Sequence, residues 1–586
     1  MGYVKPTVLI SQEIRTPSPV LNIPDQKACI VGPAYNIVED KYAGDFVSGT
    51  PLDLPEWIPG TRVEEIKVTI KNALSPVLSI TNVTVSGEYY EDTTADFTTT
   101  GIKEGMVVEI GSVRTSVLKV EPTRIYFTDT VPSTTGDLVV YDIVNYEVPS
   151  AEISVDNETG KLTVTTTNVK EGQVFVTYKA IRADIANHVF EFDNTDQVEA
   201  AFGLIRKDNP LAYAVAKALA NSSVKIYACP ISSNDSNGYG DALQRLAAED
   251  VYFIVPLSDD PAIKGLMESH VESLSVPEIK KWRIAICAAK YMDEYVIFEG
   301  TGDVQNGILY DPDARFLGEV DPQLSTYAVI NGEYYKVHSV ISNQKLELQA
   351  SLAGNPPDAT GVNYKIVIKL ETKYDIKKYL IDSIKNISSK RYVEILPPYM
   401  EDEDGSYIPG YFAAAALAGL LSSIPVQQPI TFMQIGGFGA APMTNGTLFD
   451  ESDLDELAGA GYLILTQDTI TGPIYIRHQI TTDELSDFTR EISAVRTVDY
   501  LSKVYEETLR PFIGKTNLID ETIEAIKGSL KATSEVLKGM KLPMLGAPLV
   551  DYQIEEVKKL TETHLEIVMK VKIPMPLNWI TLRLVV

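Results

Sequence analysis

Three short apolar runs, VKIYACPI at 224–231, VYFIVPL at 251–257 and RIAICAA at 283–289, alternate with helical stretches at Leu211–Ala220, Asp241–Glu249 and Pro261–Leu274. Runs of this length with nearly every position apolar fit buried strands. Strands separated by helices fit crossover units and a largely parallel sheet. Working upstream, Ala28–Val31 is a further short apolar run, stopped by Gly32-Pro33, and reads as one buried strand and a turn. Downstream the pattern returns after 370. A helix is expected over Asp375–Ile387, a strand over Arg391–Leu396, a helix over Gly410–Leu421, and strands over Tyr462–Thr466 and Ile474–Ile480. The small residues of Ala413–Leu421 predict a buried helix that packs closely on its neighbour.

Two stretches interrupt this pattern. Val, Ile, Thr and Tyr dominate residues 61–180, in runs such as Lys161–Thr167 and Gln173–Ala180, with turn residues between them as at Asp156–Gly160. This is the composition of a β module. Residues 300–370 are β-like again, and Asn331-Gly332 between Tyr327–Ile330 and Tyr334–Val337 predicts a tight hairpin.

The chain ends differ from both. Val8, Ile10 and Ile14 alternate with other residues in a segment surrounded by Pro6, Pro17, Pro19 and Pro24, so residues 1–25 read as an extended arm. Toward the other end two helices are expected, about 483–510 with Thr481 and Glu484 as a capping box, and about 517–538 with Gly539 as C-cap. Strand alternation then runs through Leu565, Ile567, Met569, Val571 and Ile573. After Pro574 and Pro576 it resumes through Ile580, Leu582, Leu584 and Val586. Neither end has an obvious local partner, so both call for a sheet edge to join.

Composition removes several functions. A chain of 586 residues exceeds a single core, so several domains are expected. The net charge of −29 opposes binding to nucleic acid or to anionic lipid. No basic segment followed by an apolar one opens the chain, so no signal peptide is expected. The longest apolar stretch, Tyr411–Leu421, falls short of the roughly 20 residues that span a bilayer. Production in a cytoplasm follows as the expectation. Cys29, Cys229 and Cys287 lie far apart and read as buried thiols.

Candidate chemistry is sparse. Gly436-Gly437-Phe438-Gly439 lacks the full dinucleotide fingerprint and the Lys-Ser/Thr of a phosphate loop. The acidic stretches 401–405 and 235–241 do not complete a calcium loop, and the five histidines show no ligand spacing. No G-x-S-x-G elbow is present. We therefore expect no catalytic residue, no cofactor and no metal.

The segment Tyr407–Gly419, YIPGYFAAAALAG, resembles the Pro-Gly, Ala-rich helix of contractile phage tail sheath proteins. Gly472–His478, the helix carrying Arg490, Ile492, Val495, Arg496, Val498, Asp499 and Tyr500, the stretch Pro511–Asn517 and the closing Val571–Ile580 are similar to the same family. The likeness covers 371–586 well, 26–33 and 185–290 loosely, and neither β module. It implies an α/β (α+β) multidomain chain whose sheath core is built from both chain ends, with β-rich inserted peripheral domains and extended terminal arms.

The expected division is a 1–25 arm, 26–60 as core and linker, a 61–184 β insertion and 185–299 as the first α/β part. A 300–370 β insertion, 371–480 as the second α/β part, 481–564 as the helical part of the core and a 565–586 strand arm complete it. The resemblance further implies stacked hexameric rings around a tail tube, contraction that drives the tube through an envelope, and contacts with baseplate and neck or terminator proteins. The location implied is a virion tail assembled in the host cytoplasm, and the arm strands (Val8, Ile10, Ile14, Ile580, Leu582, Leu584 and Val586) would join neighbouring subunits. The residues leave two alternatives: a carbohydrate-active enzyme with β accessory modules, and a surface adhesin.

Overall fold

The structure is a computed structural model that describes residues 26–321, 323–351, 354–578 and 580–583. Its centre is an eight-stranded sheet in the spatial order 190–192, 226–230, 28–32, 253–256, 284–288, 392–396, 462–466, 475–476. All neighbours run parallel except the two edge strands, Phe190–Phe192 and Tyr475–Ile476. The expected strand over Ile474–Ile480 shrinks to those two residues, because Gln479 turns inward to bond Ile430 N–H and Ser493 instead of continuing a ladder.

The strand Ala28–Gly32 shows why these runs are apolar throughout. Ala28 and Ile30 enter the core beneath the helices Pro210–Ala220 and Tyr411–Ser423. Cys29 and Val31 enter a second core beneath Ser236–Leu246 and Pro261–Leu274. Side chains alternate across a strand, so one covered on both faces has no position left for a polar residue. The helices Pro210–Ala220 and Tyr411–Ser423 touch through backbone. A Cβ placed on Gly419 would sit 2.3 Å from the Ala218 carbonyl oxygen.

The first β insertion occupies the connection between strands 28–32 and 190–192. It is a six-stranded sheet built on two very long strands, Arg62–Glu91 and Arg124–Glu147, with a three-stranded sheet beside it. It has an inner core around Val68, Val174 and Leu162 and an outer one around Phe97, Val108 and Phe127. Its boundary differs from expectation. The strand Tyr35–Asp45 pairs with Gln173–Ile181, so residues from 35 onward belong to the insertion and not to a core linker.

The second insertion is a closed six-stranded barrel that starts at Glu294, inside the stretch assigned to the α/β part, and ends at Lys369. Closure leaves no sheet edge. Asn331 and Gly332 turn its hairpin with φ of 53° and 83°, as the Asn-Gly pair requires. Asp375 ties the barrel to the core by accepting from Ser325 N (2.9 Å) and Ser325 Oγ (2.8 Å).

The C-terminal part departs most from the sequence pattern. The helix expected over 483–510 is two helices, Asp487–Arg490 and Ile492–Leu509. Ser486, not Thr481, caps the first; Thr481 is buried and its hydroxyl donates to the Thr489 carbonyl. The second long helix is Asp520–Gly539, so Gly539 ends it from within. The strand His564–Lys572 does have a local partner, Asp551–Thr561, with which it forms a hairpin.

Candidate functional site

Helix Ile492–Leu509 is the platform that holds both Gln26 and the base of the hairpin 551–572. Arg496 is fully buried on it. Its Nε donates to Gln26 Oε1 (2.7 Å) and its Nη2 to the carbonyls of Leu421 (2.8 Å) and Ile424 (3.1 Å). Its acceptors are carbonyl and amide oxygens and not carboxylates, and burial pushes this guanidinium down to about 10. Gln26, the first described residue, is therefore pinned by a buried cation. Gln26 also lines a cleft of about 520 Å³ with Ile424, Val426, Tyr500, Met540 and Leu542.

The hairpin 551–572 stands on the same platform. Leu549 and Ile573 at its base are buried with Ala494, Leu501, Val504 and Leu537, and Lys538 pairs with Asp551 at 3.4 Å. Beyond the base no hairpin residue is buried. One face carries Tyr552, Ile554, Val557, Leu565, Ile567 and Met569, all half-buried, with Ile554 opposite Met569 and Val557 opposite Ile567. Val571, opposite Tyr552, extends this face with exposed apolar surface, and Val568 adds more on the other. Among the described residues these strands pair only with each other, so both outer edges present unpaired N–H and C=O groups. A lone two-stranded ribbon is marginal in water, and open edges are templates for another strand.

Of the residues expected to form arm strands, Val8, Ile10 and Ile14 lie outside the described residues, as do Leu584 and Val586. Ile580 and Leu582 are described. They lie outside any strand and are 81% and 78% exposed. The hairpin strand 551–561 was not expected from the sequence; the apolar residues Tyr552, Ile554 and Val557 were its signal.

The other candidates resolve into structural roles. Asp402 in the acidic loop is buried and accepts from Lys217 Nζ (2.8 Å); it also pairs with Lys207 (2.9 Å) and Tyr213. Asp404 takes Lys207 at 2.6 Å. Lysines thus hold the charge that a calcium ion would have supplied. The glycine-rich loop closes on the same network: Gly439 passes so near that a Cβ would lie 2.8 Å from the Asp402 carbonyl, and Gly437 has φ of +88°. Among the described residues no group of three or more His, Cys, Asp or Glu side chains is placed to hold a metal. The three cysteines are buried, and burial pushes the Cys229 and Cys287 thiols up to about 12. No described helix is long and apolar enough to cross a membrane.

The Asp402 network carries a pH prediction. Burial alone would raise this carboxyl, but hydrogen bonds from Lys217, Tyr213 and Lys207 hold it well below the usual carboxylate range. A depressed folded value stabilises above the unfolded value of about 4 and is lost as pH falls through the folded one. Acid unfolding of Asp402→Asn should therefore show a shallower loss of stability below about pH 4 than the parent protein. Parallel acid limbs for the two proteins would remove Asp402 from the account.

No family model matches the chain. A curated relative, the tail sheath protein of Bacillus phage SP01, is 30% identical over 123 residues, which are 20% of this chain and 21% of that protein. The chain thus spans about a fifth of the length of the curated relative it matches. Among solved structures, the contracted helical sheath of the anti-feeding prophage is similar at 12% identity and a TM-score of 0.41, over 69% of this chain and 89% of that one. The sheath tail protein of Desulfitobacterium hafniense is similar at 7% identity and a TM-score of 0.37, over 97% and 100%. Neither structural likeness reaches a TM-score of 0.5. The chain resembles contractile tail sheath proteins in its motifs and in this curated relative.

Proposed function

We propose that this chain is a tail sheath subunit, starting from the 123-residue likeness to a phage tail sheath protein. In this proposal it polymerises as stacked hexameric rings around a tail tube and contracts to drive the tube through a cell envelope. It is a structural motor and not an enzyme. Its partners are further copies of itself, the tube protein, the baseplate and the neck or terminator proteins, and its place is the virion tail, assembled in the host cytoplasm.

The observation that carries this is the hairpin 551–572, a two-stranded sheet with both edges open, rooted on the helix that also anchors Gln26. Strand addition at those edges by the arms of neighbouring copies supplies main-chain hydrogen bonds that survive rotation at the linkers. The free energy of contraction is loaded at assembly, with an extended lattice that is kinetically trapped and a contracted one of lower energy. A net charge of −29 suppresses indiscriminate association, which leaves these shaped contacts to direct assembly.

Negative-stain electron microscopy of the purified full chain is expected to show hollow tubes. Deleting residues 1–25 removes the N-terminal arm and leaves the described fold, which begins at Gln26. Tubes should then vanish while far-ultraviolet circular dichroism stays unchanged. Small discrete particles from both proteins across a range of salt would reject the proposal.

A further inference from the structure

The polypeptide that leaves the hairpin folds back along its own subunit. After Lys572, Ile573 is buried at the hairpin base, and Met575, Leu577 and Asn578 line a cleft of about 900 Å³ opposite Phe432, Tyr475 and Phe488. Glu491 lies in this cleft, 4% exposed, at the break between helices 487–490 and 492–509. Its backbone bridges to Ile480, which fixes its position. Its Oε1 accepts from Asn578 Nδ2 (2.8 Å) and bonds His478 Nε2 (2.9 Å), while Oε2 is buried with no hydrogen-bond partner among the described residues.

The contact divides the tail's chemistry in an unusual way. Its one polar amide is spent on a buried carboxylate. Its apolar side chains Leu577, Ile580 and Leu582 stay 77%, 81% and 78% exposed. A tail that had found its final seat would bury those side chains first, because apolar burial is the main driving term. A buried carboxylate short of donors holds whichever amide reaches it. The tail is therefore parked: held at one point and still carrying unburied apolar surface.

We propose that Asn578 and Glu491 form a latch that keeps the C-terminal tail on its own subunit, and that release of this latch is a step that limits assembly. The proposal rests on the sheath reading for its second half only; the latch itself is a property of the single subunit. It restrains the tail without altering the edges of the hairpin, so its loss should speed assembly and leave the product unchanged.

The test reads the two halves separately on the full chain. Ile580→Cys with a nitroxide label reports tail mobility in unassembled protein, and the three native cysteines are buried and do not compete. The latched tail should give a slow spectral component. Asn578→Ala, on the surface tail, should convert it to a fast one, because losing a hydrogen bond to a charged acceptor raises the released population about tenfold. Asn578→Asp, which sets a second carboxylate against Glu491, should do so at least as fully. In light scattering the unlabelled Asn578→Ala protein should form tubes with a shorter lag than its parent. A label that is equally mobile in parent and variants overturns the latch. A freed tail with an unchanged lag overturns its control of assembly. If the parent forms no tubes at all, the sheath reading fails, while the spectra still decide the latch.

Discussion

Gly419→Val is expected to break the α/β core. Helices 210–220 and 411–423 meet where Gly419 faces the backbone of Ala218, and a Cβ there would lie 2.3 Å from the carbonyl oxygen, 2.9 Å from the carbonyl carbon and 3.0 Å from Cα. No rotamer change relieves this clash, because the obstacle is main chain. The helices must separate, and every small residue along the seam, Ala214, Ala218, Ala415 and Ala418 among them, then loses its contacts. Overpacking a core costs typically 1–3 kcal/mol, and a clash with rigid backbone belongs at or above the top of that range, about 3 kcal/mol or more. Gly528→Ala is the matched control. It too is a helix glycine, but it is exposed and nothing lies within 4 Å of its added Cβ. That change should stabilise by about 0.5–1 kcal/mol through lost backbone freedom of the unfolded chain. The measurement is the midpoint of urea unfolding followed by tryptophan fluorescence. Equal midpoints for Gly419→Val and the parent would show that the two helices do not pack as described.

That seam was legible in the sequence, and the hairpin that carries the proposed function was not. The difference is physical. Helix 411–423 is buried almost all round, so its composition alone marks it, and strands such as 284–288 are buried on both faces and read as unbroken apolar runs. Strand 551–561 is solvated on both sides of its ladder, and a register shift between Ile554 and Glu556 moves Val557 out of the period-two pattern. The helix break at Glu491 was hidden for the opposite reason. Leu485 and Phe488 continue the helical spacing of Ile492 and Val495, yet they are 86% and 60% exposed, so the apolar pattern there marks surface and not core. Periodicity reports which residues are apolar; it does not report what covers them. The anchoring of Gln26 by Arg496 joins residues far apart in the chain, and no local pattern announces such a contact.

Asp499→Ala should be the most damaging single change in the C-terminal module. Arg391 precedes strand 392–396, Tyr252 precedes strand 253–256, and Asp499 lies on helix 492–509. The three meet at the end of the central sheet, with Arg391 Nη2 donating to Asp499 Oδ1 (2.8 Å), Nη1 to Oδ2, and the Tyr252 hydroxyl to Oδ2 (2.7 Å). Arg391 and Asp499 side chains are 4% and 3% exposed. Burial works against the Arg391 charge, but the carboxylate outweighs it and holds the guanidinium above its ordinary value. Removing the carboxylate leaves a buried cation and a buried hydroxyl without their partner, a loss of about 3–5 kcal/mol. The helix that holds Gln26 and the hairpin base would then be free to part from the sheet, so limited proteolysis should release a C-terminal fragment from Asp499→Ala before the rest of the chain is cut. The pair itself is a different matter from its halves, because two desolvated charges replaced by apolar side chains of similar volume often cost little. Arg391→Met with Asp499→Leu should therefore recover most of the loss and restore protease resistance. A double variant as fragile as Asp499→Ala would mean that this joint depends on the hydrogen-bond geometry of Tyr252, Arg391 and Asp499 and not on cancelling a buried charge.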